Sequence, residues 1–221
     1  MTTNPAVQAA DVADWRVRTF ELYAGVRRTA QDHGAPEAHA FWVRGRNELF
    51  ASHPASALTT AAKARFTGLQ VADYNPDFRF ECEPTAQGAG QQMLVQTGTD
   101  GTVPFEQLGT LEIPGIGSLA LWALRSYGGG LFLPFRDASS GRSGGSYGGG
   151  RYLLDTVKGA HLGRNAGTIV VDFNFAYNPS CAYDEAWACP LPGPHNRLTT
   201  HIPVGEFYLP RLAGTPEAGN D

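Results

Sequence analysis

The chain has 221 residues and a mass of 23.7 kDa, and its 17 Lys and Arg against 21 Asp and Glu give a formal net charge of -4 at pH 7. The hydrophobic fraction of 42% excludes a mainly disordered protein, and the mild acidity argues against a nucleic-acid-binding protein, which needs a basic face for phosphates. No apolar run approaches the roughly 20 residues of a membrane helix and no signal peptide is visible, so we expect a cytoplasmic protein without a membrane partner.

The first third of the chain has helical periodicity. Apolar residues between Val12 and Val26 recur at spacings of three and four, after a candidate N-cap at Asp11 and before a suitable stop at Gly34. Pro36 is suited to begin a second, short helix, and Pro54 disfavours helix at the residue before it. The pattern predicts one or two helices within residues of about 10–50.

From about residue 65 the period changes to two, which indicates strands. Phe78, Phe80 and Cys82 alternate with charged residues, as on a half-buried strand. The other predicted strands are Gln92–Gln96, Gly117–Ser126, Gly130–Arg136, Arg151–Asp155, Thr168–Phe175 and Thr199–Val204. Short strands separated by Gly, Pro or Asn favour a mainly β (α+β) fold, with an antiparallel sheet or barrel-like sandwich carrying the N-terminal helices. We expect one domain over residues 1–212, with its β part at about 65–210, and a flexible tail at 213–221.

A glycine-rich segment lies between two of these strands. Nine of the 27 glycines fall between Gly128 and Gly150, around the apolar and charged run LFLPFRD, which is not typical of a linker. We interpret the segment as a long hairpin, either a mobile loop or a backbone cradle for an anion, with Arg136, Arg142 and Arg151 close to it. Matches to the G-x-S-x-G motif at Ser143 and Ser146 lack the helix which that motif requires.

The segment TIVVDFNFAYNPSCAY carries a second group of polar residues. On a strand, Asp172 and Asn174 share one face, and two polar groups on so apolar a segment need partners or water. They are predicted either to brace the following loop or to contact a ligand.

Long motifs in this region resemble a known family. The runs FRDASSGRSGGSYGGGRYL, DFNFAYNPSCAYDEAWACPLPGPHNRL and IPVGE are similar to the pattern of the bacterial and archaeal family called domain of unknown function 1684. The resemblance is strong over Leu131–Glu206 and looser before it. The resemblance implies which positions are candidates for a site, but it implies no activity, because none is established for the family. The motif positions are Arg136, Asp137, Ser140, Tyr147, Gly148, Gly150, Arg151, Tyr152, Asp172, Asn174, Tyr177, Asn178, Cys181, Cys189 and Asn196.

These residue types suit the recognition of a polar or anionic small molecule by arginine forks and backbone N–H groups. The hypothesis is a site formed by the glycine- and arginine-rich hairpin and the DFNFAYNPSCAY segment, with or without an enzymatic reaction. The predicted ligand-binding residues are Arg136, Tyr147, Gly148, Arg151, Asn174, Tyr177 and Asn178, and the proton-transfer candidates are Asp137 and Asp172. No feature specifies a cofactor or an oligomeric state.

Two alternatives remain open from the sequence. The first is a non-catalytic interaction or structural module, in which the motifs fix the fold. The second is a metalloprotein using Cys181, Cys189, His195 and His201, although seven residues between the cysteines exceed the usual spacing at zinc. The Arg151→Ala variant separates ligand binding from a structural role: binding is lost with the fold mostly intact in the first case, and the chain unfolds in the second.

Overall fold

The computed structural model describes residues 4–97 and 101–212. In chain order it contains the helices α1 (Pro5–His33), α2 (Ala35–Ser52) and α3 (Thr60–Ala64), followed by nine strands. The strands are β1 (Arg79–Cys82), β2 (Pro84–Thr85), β3 (Gln92–Thr97), β4 (Gly101–Ile113), β5 (Gly117–Leu124), β6 (Leu131–Phe135), β7 (Arg151–Asp155), β8 (Arg164–Asn165) and β9 (Thr168–Asp172). The predicted tail at 213–221 lies outside the described residues.

The two long helices form a pair joined at Gly34. The cap of α1 is Asn4, not Asp11, because the Asn4 side chain accepts a hydrogen bond from the Ala6 N–H (3.0 Å) and Pro5 occupies the first helical position. Helix α2 is longer than predicted and ends before Pro54 as expected. In the described parts of the chain, no helix combines the length and the apolar character needed to cross a membrane.

The helices approach closely because each offers a glycine to the other. A Cβ atom at Gly25 of α1 would lie 2.6 Å from the ring of Phe41, and one at Gly45 of α2 would lie 2.4 Å from Leu22. A larger residue at either position would require the facing side chain, or the helix that carries it, to move.

The strands form two antiparallel sheets, which confirms the predicted α+β sandwich with N-terminal helices. One has three strands in the order β1-β9-β8; the other has six, in the order β2-β4-β5-β6-β7, with β3 paired to β4. Neither sheet closes into a barrel within the described residues. Strands β6 and β7 pair across the glycine-rich connection, as the hairpin interpretation predicted.

The six-stranded sheet is buried on both faces. Leu119 and Leu121 of β5 face a cluster shared with Val171 of β9 and the C-terminal segment. Ala120 and Trp122 face the opposite way, into a cluster with the side chains of α1 and α2. The sheet is therefore the middle layer, between the two long helices on one side and the smaller sheet on the other.

The sequence analysis did not predict three strands, the two-residue strands β2 and β8 and the long strand β4, and it misplaced two others. The longest strand, β4, contains Gly101, Pro104 and Gly109, which are residues that disfavour strands, and its pairing with β5 is irregular between Gln107 and Gly109. The predicted strand Thr168–Phe175 ends at Asp172, because this side chain accepts the Asn174 N–H and turns the chain into a short 3-10 helix.

The prediction of a strand at Thr199–Val204 is wrong. This segment follows an irregular path, and the carbonyl oxygens of Ile202 and Val204 accept hydrogen bonds from the side chain of Arg151 rather than from a neighbouring strand. Hydrogen bonds from the Arg151 side chain take the place of the backbone hydrogen bonds that a neighbouring strand would make. The hydrophobic pattern of the sequence does not show which kind of partner a backbone group has.

Candidate functional site

Arg151 and Asp137 form a buried ion pair beneath the glycine-rich hairpin. Arg151 is 1% exposed, and its guanidinium donates to a carboxylate oxygen of Asp137. The same guanidinium donates to the carbonyl oxygens of Ile202 (3.1 Å), Val204 (2.6 Å) and Glu206 (3.3 Å). Both terminal nitrogens of Arg151 are thus bonded within the protein, in the geometry of a structural contact between β7 and the C-terminal segment.

Serine hydroxyls complete the surroundings of Asp137. The carboxylate accepts hydrogen bonds from the N–H and the hydroxyl of Ser139 (both 2.6 Å) and from the hydroxyl of Ser146 (3.3 Å). Ser146 is buried, and its hydroxyl also contacts Ser140 (2.9 Å). Ser143, the other serine of a G-x-S-x-G match, is exposed. The loop is folded around the carboxylate, so Asp137 has several partners that hold it in place.

Asp172 and Asn174 meet in a second buried group. The Asn174 amide donates to Asp172 (2.7 Å) and to the Asn75 carbonyl oxygen (2.8 Å), and its oxygen accepts the Asn75 N–H (2.8 Å). The Asn174 carbonyl oxygen lies 3.0 Å from Nε2 of His39, and the hydroxyl of Tyr74 donates to Asp172 (3.2 Å). These contacts join the turn after β9 to the loop before β1 and to helix α2.

The pKa of the Asp172 carboxyl group is clearly shifted from its ordinary value. Burial raises its pKa from 3.8 to about 6, against the opposing effect of the hydrogen bonds from Asn174 and Tyr74. Because its pKa is higher in the folded chain than in the unfolded one, the folded chain binds the proton more tightly. The stabilisation from this tighter proton binding is therefore fully present below about pH 4 and is lost as the pH rises through about 6. Over this range the contribution of Asp172 to the free energy of unfolding falls by about 3 kcal/mol.

The Asp172→Asn variant is expected to lack this pH dependence. The amide is nearly isosteric and does not titrate, so the variant gains stability relative to the parent protein by about 3 kcal/mol between pH 4 and pH 7. Urea unfolding of both proteins across this range measures the difference, with Asp32→Asn on the exposed side of α1 as the control. Parallel pH profiles for the Asp172 variant and the parent would contradict the assignment.

Tyr177 and Asn178 lie in a different place, at a pocket between the helices and the sheet. Its walls come from α1, α2, β7, the segment Lys158–Ala160 and the segment Tyr177–Ser180, and the cavity between them has a volume of about 40 Å³. Aromatic side chains from Trp15, Tyr23, Phe50, Tyr152 and Tyr177 form much of the surface. The pocket thus combines apolar walls with a few polar groups, as small-molecule sites do.

Arg46 is the central charge of this pocket. Its guanidinium lies 4.9 Å from the ring centre of Tyr177, 5.1 Å from that of Phe50 and 5.2 Å from that of Trp42.

One terminal nitrogen of Arg46 donates to Glu206 (2.7 Å). Glu206 is itself buried, and it also accepts the N–H (3.3 Å) and the side-chain amide (3.2 Å) of Asn178. Burial raises the pKa of Glu206, and Arg46 opposes that rise. A second cation, Lys158, is half-buried on the pocket wall, 3.4 Å from Asp155.

Three polar atoms of the pocket residues are buried and have no partner among the described protein groups. They are Nε of Arg46, the hydroxyl of Tyr177 and Oδ1 of Asn178. Burial raises the pKa of Tyr177 well above its usual value, so the hydroxyl keeps its proton. A donor, a hydroxyl and an acceptor without partners around one pocket are a costly arrangement for the protein alone.

The structure places the remaining predicted residues outside this pocket. Arg136 is half-buried at the end of β6, and its backbone bonds to that of Asn196 and Leu198. The hydroxyl of Tyr147 donates to the Cys181 carbonyl oxygen (3.3 Å), and Gly148 is exposed. The predicted site residues therefore form separate groups, and only Tyr177 and Asn178 line the pocket described above.

The metal alternative is not supported by the positions of its residues. His195 and His201 are exposed, whereas the thiols of Cys181 and Cys189 are half-buried. Across residues 4–97 and 101–212, no group of three or more His, Cys, Asp or Glu side chains is arranged to hold a metal ion.

Arg46, Tyr23 and Lys158 line the pocket but were not predicted as site residues from the sequence. One signal was present: Arg46 lies four residues after Trp42 and four before Phe50, so it interrupts an apolar stripe of the second helix. A second was that Lys158 is one of only two lysines in the chain. Nothing in the sequence indicated that these residues meet the AYNPSCAY segment.

Comparisons with known proteins extend these observations. A family model described as "Protein of unknown function (DUF1684)" matches residues 64–207, about two thirds of the chain. The solution NMR structure of an uncharacterized protein from Haloarcula marismortui is 31% identical to this chain and has a TM-score of 0.56, covering 80% of this chain and 96% of that one. No curated protein matches the sequence.

Proposed function

Because the chain belongs to the DUF1684 family of proteins of unknown function, we propose its function from the pocket itself: the protein binds a small polar molecule that carries an acidic group. The observation that supports this proposal is the set of unpartnered buried atoms on Arg46, Tyr177 and Asn178. A ligand that satisfies them removes the cost of burying them, and that gain adds to its affinity.

The chemistry of the three atoms defines the class of ligand. Arg46 uses one terminal nitrogen on Glu206 and has Nε free to donate to a carboxylate or phosphate oxygen. Lys158 adds a second cation to the pocket lining, 3.4 Å from Asp155. Oδ1 of Asn178 accepts only, so the ligand also needs a donor such as a hydroxyl group. Hydroxycarboxylates and small phosphate monoesters have this combination.

The pocket provides no assignment of a reaction. The proton-transfer candidates Asp137 and Asp172 are absent from its lining residues, and so is Glu206, whose carboxylate is engaged with Arg46 and Asn178. We therefore propose that the pocket binds a small acidic molecule, and we assign no reaction to it. The ligand-binding role predicted for Arg151 stays a prediction, and it concerns a group distinct from the pocket.

The Tyr177→Phe variant tests the proposal, because it removes only a hydroxyl. If that hydroxyl has no partner in the free protein, the variant is more stable than the parent by about 1 kcal/mol and binds ligand more weakly. The probes are malate and glycerol 3-phosphate, added to each protein in calorimetric titration and thermal unfolding. Native mass spectrometry of freshly purified protein tests in parallel for a molecule that is retained from expression.

Tyr183→Phe is a matched control. The hydroxyl of Tyr183 is also buried without a described partner, but Tyr183 is not among the residues that line the pocket. The control is therefore expected to gain stability as Tyr177→Phe does and to bind the probes like the parent. If neither probe binds and no retained molecule is found, or if Tyr177→Phe binds as tightly as the parent, the proposal is wrong. A stable complex with another protein from the same cells would instead favour an interaction module.

A further inference from the structure

Strand β3 lies at an edge of the six-stranded sheet. Its register with β4 is continuous from the pair Gln92–Glu106 to the pair Thr97–Gly101, and among the described strands none pairs with its other side. Edge strands are usually protected from pairing with another chain by charged residues, a proline or a bulge. β3 has none of these between its first and last residue, because its sequence is QMLVQT and its register is unbroken. The strand is therefore open to pairing.

The pairing with β4 determines which backbone groups of β3 point outward. The carbonyl oxygen of Pro104 accepts the N–H of Arg125, which directly follows β5, so the backbone groups of Pro104 point towards β5. Leu94 is opposite Pro104, and in an antiparallel pair both residues then point away from each other. Because the direction alternates along a strand, the N–H and C=O groups of Gln92, Leu94 and Gln96 all lie on the free edge.

The side chains of the same three residues are exposed. Leu94 is 70% exposed, and Gln92 and Gln96 on either side of it are exposed as well. Met93 and Val95 point to the opposite face, where they pack against the cluster beneath the two long helices. One exposed leucine is ordinary by itself. Here it lies at the centre of an uncharged strand whose outward backbone groups have no neighbouring strand among the described residues.

We propose that β3 pairs with β3 of a second copy of this chain, antiparallel and across a two-fold axis at Leu94, so that two sheets become one continuous sheet. The strand itself selects this partner, because the run QMLVQ has the same chemical order in both directions: glutamine, apolar residue, leucine, apolar residue, glutamine. Around an axis at Leu94, Gln92 lies opposite Gln96 of the partner subunit. Leu94 lies opposite Leu94 of the partner subunit.

This arrangement satisfies the free edge without bringing like charges together. Each outward residue exchanges two N–H···O hydrogen bonds with the residue opposite it, and facing glutamines and leucines are compatible cross-strand pairs. The nearest acidic residue, Glu106 opposite Gln92 on β4, is already paired with Arg125 (3.0 Å). This mutual match favours a second copy over a strand of another protein. The contact is small, so we expect a dissociation constant in the micromolar range.

Sedimentation equilibrium of the full-length protein between about 5 and 500 μM tests the proposal. The mass is expected to rise with concentration from 23.7 kDa towards twice that value. Amide hydrogen exchange measured at both ends of the range locates the contact: exchange at Leu94 slows in the dimer, whereas Val95, which points towards β4, exchanges at the same rate. A monomer throughout this range, or a dimer in which the Leu94 amide gains no protection, would overturn the proposal.

The Leu94→Lys variant places two like charges opposite each other at the axis, so its dissociation constant is expected to be at least about tenfold higher than that of the parent. Its thermal unfolding is expected to change little, because the side chain is exposed. Val17→Lys is the matched control: it makes the same kind of change at an apolar residue of α1 that is 53% exposed, and it is expected to dimerise like the parent. Dissociation by Val17→Lys and not by Leu94→Lys would place the interface on the helix and overturn the proposal.

Two double variants test the position of the axis. Gln92→Glu with Gln96→Glu brings like charges together at both outer pairs, whereas Gln92→Lys with Gln96→Glu brings opposite charges together at the same positions. The first is expected to dimerise about tenfold more weakly than the second. Equal dissociation constants would show that these residues do not face each other, and the proposal would be wrong. The ligand probes do not enter these measurements, so their outcome is independent of the proposed function.

Discussion

Replacing Arg151 with methionine is expected to destabilise the folded protein by about 3–5 kcal/mol, because it leaves the buried carboxylate of Asp137 without its cation. The change also removes the donors for the carbonyl oxygens of Ile202, Val204 and Glu206. Domains of this kind have only about 5–15 kcal/mol of stability, so the variant will be marginally folded or unfolded at 37 °C. Urea unfolding followed by tryptophan fluorescence measures the loss.

An exposed ion pair provides the control for this variant. Arg125 forms two hydrogen bonds with Glu106 (both 3.0 Å), but the Arg125 side chain is exposed and that of Glu106 is partly exposed. Arg125→Met is therefore expected to leave the unfolding midpoint unchanged within error. If Arg151→Met unfolds at the same urea concentration as the parent, the buried pair has no structural role, and a ligand-binding role for Arg151 becomes the better interpretation.

The second large effect is expected at Asn196, in the C-terminal segment. This side chain is fully buried, accepts a hydrogen bond from the Trp122 indole (2.9 Å), and donates to the carbonyl oxygens of Ala120 (2.9 Å) and Pro134 (2.8 Å). Asn196→Ala leaves three buried polar groups without partners, at about 1–3 kcal/mol each, so a total loss of about 3 kcal/mol or more is expected.

Thermal or urea unfolding of Asn196→Ala checks this expectation. Asn165→Ala, at an exposed position before β9, is the matched control and is expected to change little. Asn196→Leu restores most of the lost volume without restoring a polar group. A similar loss in Asn196→Leu and Asn196→Ala would assign the effect to the hydrogen bonds, whereas recovery in Asn196→Leu would assign it to the cavity.

Arg151 and Asn196 together hold the C-terminal segment against the sheet. Residues from Gly193 to Glu206 contain no β-strand, yet they cover the six-stranded sheet with Leu198, Ile202 and Val204. A segment without a strand ladder must satisfy its backbone groups in other ways, and here Arg151 and Asn196 do so with their side chains. Much of the resemblance to the family therefore falls on residues with structural contacts.

Several elements of the fold could be predicted from local patterns. The alternation at Phe78, Phe80 and Cys82 indicated β1, and the prolines at positions 36 and 54 indicated both ends of α2. Strand β4 could not be predicted in this way, because its glycines and proline disfavour a strand and its pairing with β2, β3 and β5 is what stabilises it. Tertiary contacts outweighed the local preference there.

For the candidate site, the sequence by itself determined the family, the α+β class and the polar residues of the AYNPSCAY segment, because long motifs and hydrophobic periodicity are properties of the chain read in order. It did not determine which of those residues share a pocket. Arg46 is 131 residues before Tyr177, and Lys158 belongs to a turn between them. Only the packing of the helix pair on the sheet brings these groups together, since contacts between distant segments depend on how whole elements pack and not on local spacing.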